Sequence, residues 1–236
     1  MNRILTRVGL ALCTAILLSN CLSNTPPAKK MVVSVADQRL VVFDEDGDPE
    51  KSYAVSTSKF GLGDKPGSKK TPLGKMVVRQ KVGEGAEPGT VFKGRKPTGE
   101  VIRPNAPGRD PIVSRILWLG GADDSTKNAY SRYIYIHGTA AEKRVGQPAS
   151  YGCIRMRSVD VIDLYDAVGV GSTVEVKREP LDGDEVPLWD RLLIGSLRQR
   201  SAHGVEDVEV LEAAEPFARR PDSDVEDPDA GVATRR

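Results

Sequence analysis

His137 and Cys153 are the residues whose types and spacing suit nucleophilic chemistry. They stand 16 positions apart in the stretch 133–156, YIYIHGTAAEKRVGQPASYGCIRM, with His137 opening a Gly-containing loop and Cys153 closing it. A thiol attacks as its thiolate, so it needs a base or a surrounding that stabilises the anion. His137 supplies the base if the loop folds back on itself, which a segment of this length can do. Gly152 leaves the approach to the sulfur open and lets nearby N–H groups turn toward a developing oxyanion. Arg155 can hold a substrate carboxylate or the loop itself. The same residues also fit a plainer reading: a buried structural thiol and a satisfied polar histidine. A metal centre has little support, because His203 is the only other histidine, lies in a polar tail, and no second cysteine stands at ligand spacing.

The elements that must position this pair follow from the rest of the chain. With 236 residues, 39% hydrophobic and 5% aromatic, the sequence supports one modest core with polar extensions. A formal net charge of +1 gives no reason to expect a nucleic-acid partner. Arg3 and Arg7 precede an apolar run, Val8 to Leu18, that is too short to span a bilayer comfortably and leads into the polar, Pro-containing segment Ser23 to Lys30. Residues 1–21 therefore read as a secretory signal and 22–30 as a linker, for an exported protein of the periplasm or cell envelope. The end of the run, LLSNC, resembles a bacterial lipoprotein signal, which would make Cys21 the lipidated residue and the membrane a partner through that anchor; Asn20 departs from the usual small residue before it. Ordinary cleavage and an uncleaved anchor are the alternatives. With Cys13 inside the signal and Cys21 lipidated, Cys153 is left without an intramolecular disulfide partner.

Residues 31–43, MVVSVADQRLVVF, alternate around Asp37-Gln38 and predict a hairpin. Lys51 to Ser58 alternates again, with Tyr53 and Val55 on one face. A Lys- and Gly-rich loop, 59–70, precedes Thr71-Pro72-Leu73-Gly74 and a short strand at Val77-Val78. The Gly- and Pro-rich segment 83–110 reads as a lid or binding loop, with Val91-Phe92 and Val101-Ile102 pairing as a flap about Pro97-Thr98-Gly99. Residues 111–119 form an apolar strand. Residues 132–137 form another, with Ile134 and Ile136 on one face and Tyr133, Tyr135 and His137 on the other. Ser158 is placed as the N-cap of a helix whose stripe is Val161, Leu164, Tyr165 and Val168, and Thr173 to Val176 is a last strand. Beyond Lys177 the chain is a polar extension, 178–236, with a short helix at 187–198 and a disordered tail from Ser201. The expectation is a mainly β domain over 31–177: about eight strands in a sandwich or mixed sheet, with one helix after the cysteine.

The stretch resembles the signature of the L,D-transpeptidase catalytic domain family (YkuD-like). That signature is a strand ending in H-G-T followed by S-x-G-C-[IV]-R-[ML]. It stands here as His137-Gly138-Thr139 and Ser150-Tyr151-Gly152-Cys153-Ile154-Arg155-Met156. Residues 35–40 (VADQRL) resemble the family's opening hairpin and 71–74 its T-P-x-G turn. Many members carry a second histidine where this chain has Tyr151, so His137 is the one imidazole available. The resemblance implies a thioester of Cys153 with a peptidoglycan stem tetrapeptide, release of D-Ala, and transfer to an amine on another stem or on a wall-linked protein. It implies no metal or organic cofactor. It also implies that the Gly138 carbonyl orients the imidazole, that Gly152 and Cys153 serve the oxyanion, and that Ser150, Tyr151, Arg155 and Tyr135 border the substrate. Hydrolysis of stems by the same fold and a non-catalytic wall-binding module are the competing readings.

Overall fold

The computed structural model describes residues 25–187 and Asp190. The expected signal with Cys13 and Cys21, the rest of the 187–198 helix, and the tail from Ser201 lie outside the described residues. The body is one mixed sheet of ten strands. In chain order these are β1 (Lys30–Ser34), β2 (Arg39–Phe43), β3 (Pro49–Ala54), β4 (Gly74–Val82), β5 (Thr90–Lys93), β6 (Lys96–Val101), β7 (Ile112–Gly121), β8 (Tyr135–Thr139), β9 (Ile154–Met156) and β10 (Thr173–Lys177), with α1 (Ser158–Ala167) between the last two. The order across the sheet is β3-β2-β1-β10-β4-β7-β5-β6, and β7 also carries β8, which carries β9. Of the two expected architectures, the mixed sheet is the one formed. Its parallel pairs are β1/β10 and β8/β9.

Alternation in β1 and β2 sends Met31, Val33, Leu40 and Val42 into the main core, where they meet Val55, Leu117, Leu119, Ile136, Ile154 and the α1 residues Val161, Leu164 and Tyr165. The opposite face of the same hairpin, Val32, Val41 and Phe43, is covered by Leu181 and Val186. Residues just beyond Lys177 thus pack on the outer face of this hairpin. Asp37 accepts the Leu181 N–H at 2.6 Å and so steers the chain back over the sheet. Each large aliphatic side chain buried this way contributes roughly 1.5–3 kcal/mol.

Three local expectations are corrected. The flap turns at Gly94-Arg95 rather than 97–99, since both residues have positive φ (55° and 63°) and make the tight turn that suits strand twist. Strand β8 begins at Tyr135, because Tyr133 sits at φ 55°. Ser158 is the first helical residue and Arg157 the N-cap; the Ser158 N–H is met by Glu142 Oε1 at 2.8 Å, a partner 16 residues earlier in the chain. Of the ten strands, β9 is the one without a counterpart in the sequence reading, being three residues long and without a periodicity of its own.

Candidate active site

The parallel pairing of β8 with β9 sets Ile136 beside Ile154, His137 beside Arg155 and Gly138 beside Met156. Cys153, one residue before β9, is then level with Tyr135. Side chains alternate along each strand, so Tyr135, His137, Cys153 and Arg155 share one face while Ile136 and Ile154 enter the core. His137 and Cys153 are diagonal neighbours, with Cα atoms about 8 Å apart from the spacing of strands and residues.

His137 is 5% exposed. Its Nδ1 lies 2.8 Å from the Gly138 carbonyl oxygen, which can only accept, so Nδ1 carries the proton and Nε2 the lone pair. Burial, with the nearby Arg155 cation, pushes the imidazole down to about 4, while the Gly138 hydrogen bond and Asp110 pull the other way. The ring is a neutral base near pH 7. Opposite it, β7 bulges between Val113 and Ile116, where Ser114 adopts φ 68°. That bulge brings the Val113 carbonyl so close to Gly138 that a Cβ there would sit 2.5 Å from the oxygen. Glycine is required at 138 for this approach.

The loop before Cys153 is sewn to its neighbours. Ser150 is fully buried; its hydroxyl donates to the Cys153 carbonyl at 2.5 Å and accepts the Gly152 N–H at 3.2 Å. Thr71 Oγ1 accepts the Ser58 N–H at 2.9 Å and donates to the Gly152 carbonyl at 3.0 Å. Ser56 pairs with Arg155 and Ser58 with Ser150 as isolated bridges. Gly152 has φ 128°, a conformation that disfavours any side chain. The Cys153 thiol is half-buried; the Tyr135 N–H lies 3.4 Å from Sγ, and Sγ lies 3.4 Å from the Tyr133 carbonyl.

An aromatic shelf borders the sulfur. Trp118 stacks on Tyr130 (centroids 4.1 Å) and lies near Tyr133 (5.6 Å) and edge-on to Tyr135 (5.8 Å). The flap tip covers it: the Arg95 guanidinium sits 4.5 Å from the Trp118 ring centroid and donates to Tyr135 Oη at 3.2 Å. A cavity of about 360 Å³ lined by Arg79, Gly120, Gly121, Lys127 and Tyr130 adjoins the Tyr130 end of the shelf.

Of the residues expected to border substrate, Tyr151 alone is well exposed, at 45%. Ser150 is buried and holds the loop, because its hydroxyl bridges Gly152 and Cys153. Tyr135 is buried beneath Arg95 and presents its N–H to the sulfur. Arg155 is turned to Asp110 Oδ2 at 2.8 Å, the loop-holding alternative. The Gly152 N–H donates to the Ser150 hydroxyl, and the residue's positive φ gives the loop its turn. Asp110 was not legible as a site residue. It ends a loop, yet its Oδ1 accepts from Thr139 Oγ1 (2.5 Å) and the Ala141 N–H (3.2 Å), fixing the end of β8. Arg95 likewise had no signal beyond lying in the expected flap.

Comparisons with known proteins agree with the motifs. The family model YkuD, described as L,D-transpeptidase catalytic domain, matches residues 28–176. A probable L,D-transpeptidase ErfK/SrfK of Escherichia coli K12 is 29% identical over 157 residues, covering 65% of this chain and 45% of that protein. A putative L,D-transpeptidase YqjB of Bacillus subtilis is 32% identical over 85 residues, covering 36% and 46%. The chain thus spans about half the length of the curated relatives it matches. Among solved structures, an L,D-transpeptidase from Mycobacterium tuberculosis H37Rv is 20% identical with a TM-score of 0.42, covering 64% of this chain and 58% of that one.

Proposed function

The chain belongs to the L,D-transpeptidase catalytic domain family, and from that premise we propose that it cross-links peptidoglycan stems with Cys153 as nucleophile and His137 as base. The observation that carries the reading is the β8–β9 register, which sets a buried, neutral imidazole and a half-buried thiol on one face of the sheet. His137 Nε2 takes the thiol proton as sulfur attacks the carbonyl carbon at the L centre of the third stem residue. The backbone N–H of Cys153 is the proposed donor to the oxyanion. The carbon–nitrogen bond breaks, the leaving D-Ala amine takes the proton from His137, and a thioester remains. An acceptor amine, on a second stem or a wall-linked protein, then attacks; the carbon–sulfur bond breaks and the proton lost by the amine returns to sulfur through His137. Water in place of the amine yields a trimmed stem, the L,D-carboxypeptidase outcome. The compartment that fits this substrate is the cell envelope, with an anchor at Cys21 as part of the same proposal.

The test uses a carbapenem, whose strained lactam carbonyl acylates an activated thiol. Intact mass is expected to show one covalent adduct on the wild type and none on Cys153→Ala. A folded wild type that stays unmodified overturns the nucleophile assignment. Tetrapeptide muropeptides then separate dimer formation from trimming.

A further inference from the structure

The segment 59–70, KFGLGDKPGSKK, carries four lysines and one acid. The acid is turned inward. Asp64 Oδ1 lies 2.8 Å from Arg132 Nη1, both side chains are 7% exposed, and Asp64 Oδ2 accepts the Asn128 N–H at 2.6 Å. Among the described residues, none of Lys59, Lys65, Lys69 and Lys70 is ion-paired. The lysines therefore form a local positive field despite a near-neutral chain. Two of them frame an aromatic pair. Lys59 Nζ is 3.2 Å from Tyr151 Oη and 4.7 Å from the ring centroid, Lys69 Nζ is 5.5 Å from that centroid, and the Phe60 ring lies 5.5 Å away. Phe60 and Tyr151 are 43% and 45% exposed, so the pair faces solvent.

This lip is shaped by its backbone. The Lys59 N–H donates to the Ser150 carbonyl (3.1 Å), the Gly63 N–H to the Thr71 carbonyl (2.9 Å), and the Thr71 N–H to the Gly61 carbonyl (3.1 Å). It is also close to the chemistry, since Tyr151 is two residues before Cys153 and so at most about 7 Å from it along the chain. The aromatic shelf beside the sulfur is covered by Arg95, whereas the lip is open. A second substrate that enters after the first is attached needs the open side. By microscopic reversibility its amine takes the place vacated by the leaving amine, whose residue carries the stem's terminal carboxylate.

We propose that Lys59, Phe60, Lys69 and Tyr151 form the docking surface for a carboxylate-bearing peptide strand that delivers the resolving amine to the Cys153 thioester. The proposal rests on the transpeptidase reading above. The lysines attract the strand's carboxylates, and the two rings give it a flat apolar platform.

The experiment is a competition on the full chain. A stem tetrapeptide is the donor, and two acceptors compete: a diamino acid with its carboxylate free, and the same amine with that carboxylate amidated. Both partition from one acyl-enzyme, so the product ratio is independent of the donor step. The wild type is expected to favour the carboxylate acceptor. The surface variant Lys59→Glu/Lys69→Glu is expected to lower the ratio roughly tenfold, about 1.4 kcal/mol, at low salt. An unchanged ratio overturns the proposal. So does an unchanged ratio coupled to lost retention on a phosphate polymer, which assigns the lip to a polyanion. Carbapenem acylation of the same variant keeps the two readings apart: it stays at the wild-type level if only the lip is altered, and a wild type that never acylates sinks the transpeptidase reading instead.

Discussion

Protonation of His137 is the sharpest quantity this site offers for measurement. Burial holds the imidazole at about 4 against an ordinary value of 6.5. A difference of about 2.5 units corresponds to about 3 kcal/mol between the two protonation states. The sign follows from which state binds the proton. Above about pH 6.5 the imidazole is neutral folded and unfolded, and pH has no effect through it. Between about 6.5 and about 4 the unfolded chain binds one proton more, so stability falls by about 1.4 kcal/mol per pH unit through this residue. Below about 4 both states are protonated and the loss levels off near 3 kcal/mol. Urea unfolding from about pH 7.5 to about pH 4 on the wild type and His137→Gln isolates the effect, because the glutamine variant lacks the extra slope. Histidine ring NMR on the same samples gives the titration directly, and the acid limb of thiol acylation should lie well below pH 6.5. An imidazole that titrates between about 6 and 7 refutes the reasoning. An imidazolium at neutral pH that turns neutral in Cys153→Ala also refutes it, since the resting pair would then be thiolate and imidazolium.

Other expectations follow from the scaffold. Asp110→Asn removes a negative charge that favours the imidazolium and leaves Arg155 facing the ring, so the NMR titration of His137 should move lower still. Gly152→Ala has space for the methyl but not the backbone freedom at φ 128°, and should cost about 1–2 kcal/mol in urea unfolding together with a tenfold or greater loss of carbapenem acylation. Arg132→Met leaves the buried Asp64 carboxylate without its cation and should destabilise by about 3–5 kcal/mol; a loss under about 1 kcal/mol would show that the pair is not buried in solution.

Much of the fold was legible because alternation survives in strands with one face in the core. Met31 to Val42 announced a hairpin, and Val161 to Val168 announced the helix that packs on it. What stayed hidden was set by distant partners. Ser158 is an ordinary N-cap residue, yet Glu142 meets its N–H and shifts the cap to Arg157. The turn at Gly94-Arg95 lost to the more obvious Pro-Thr-Gly, because matching the strand twist needs two positive-φ residues and not a proline.

The candidate site divides in the same way. The sequence by itself determined the chemical groups: a thiol and an imidazole at the ends of one loop, glycines at 138 and 152, and an order of motifs that matches one family. Those are local facts, written in residue type and spacing. The tertiary structure decided what each group faces. It turned Arg155 to Asp110, buried Ser150 as a bracket for the loop, roofed the aromatic shelf with Arg95 and folded Asp64 inward, leaving the lysines beside Tyr151 uncompensated. It also made His137 a neutral base, because desolvation depends on which surfaces close over the ring.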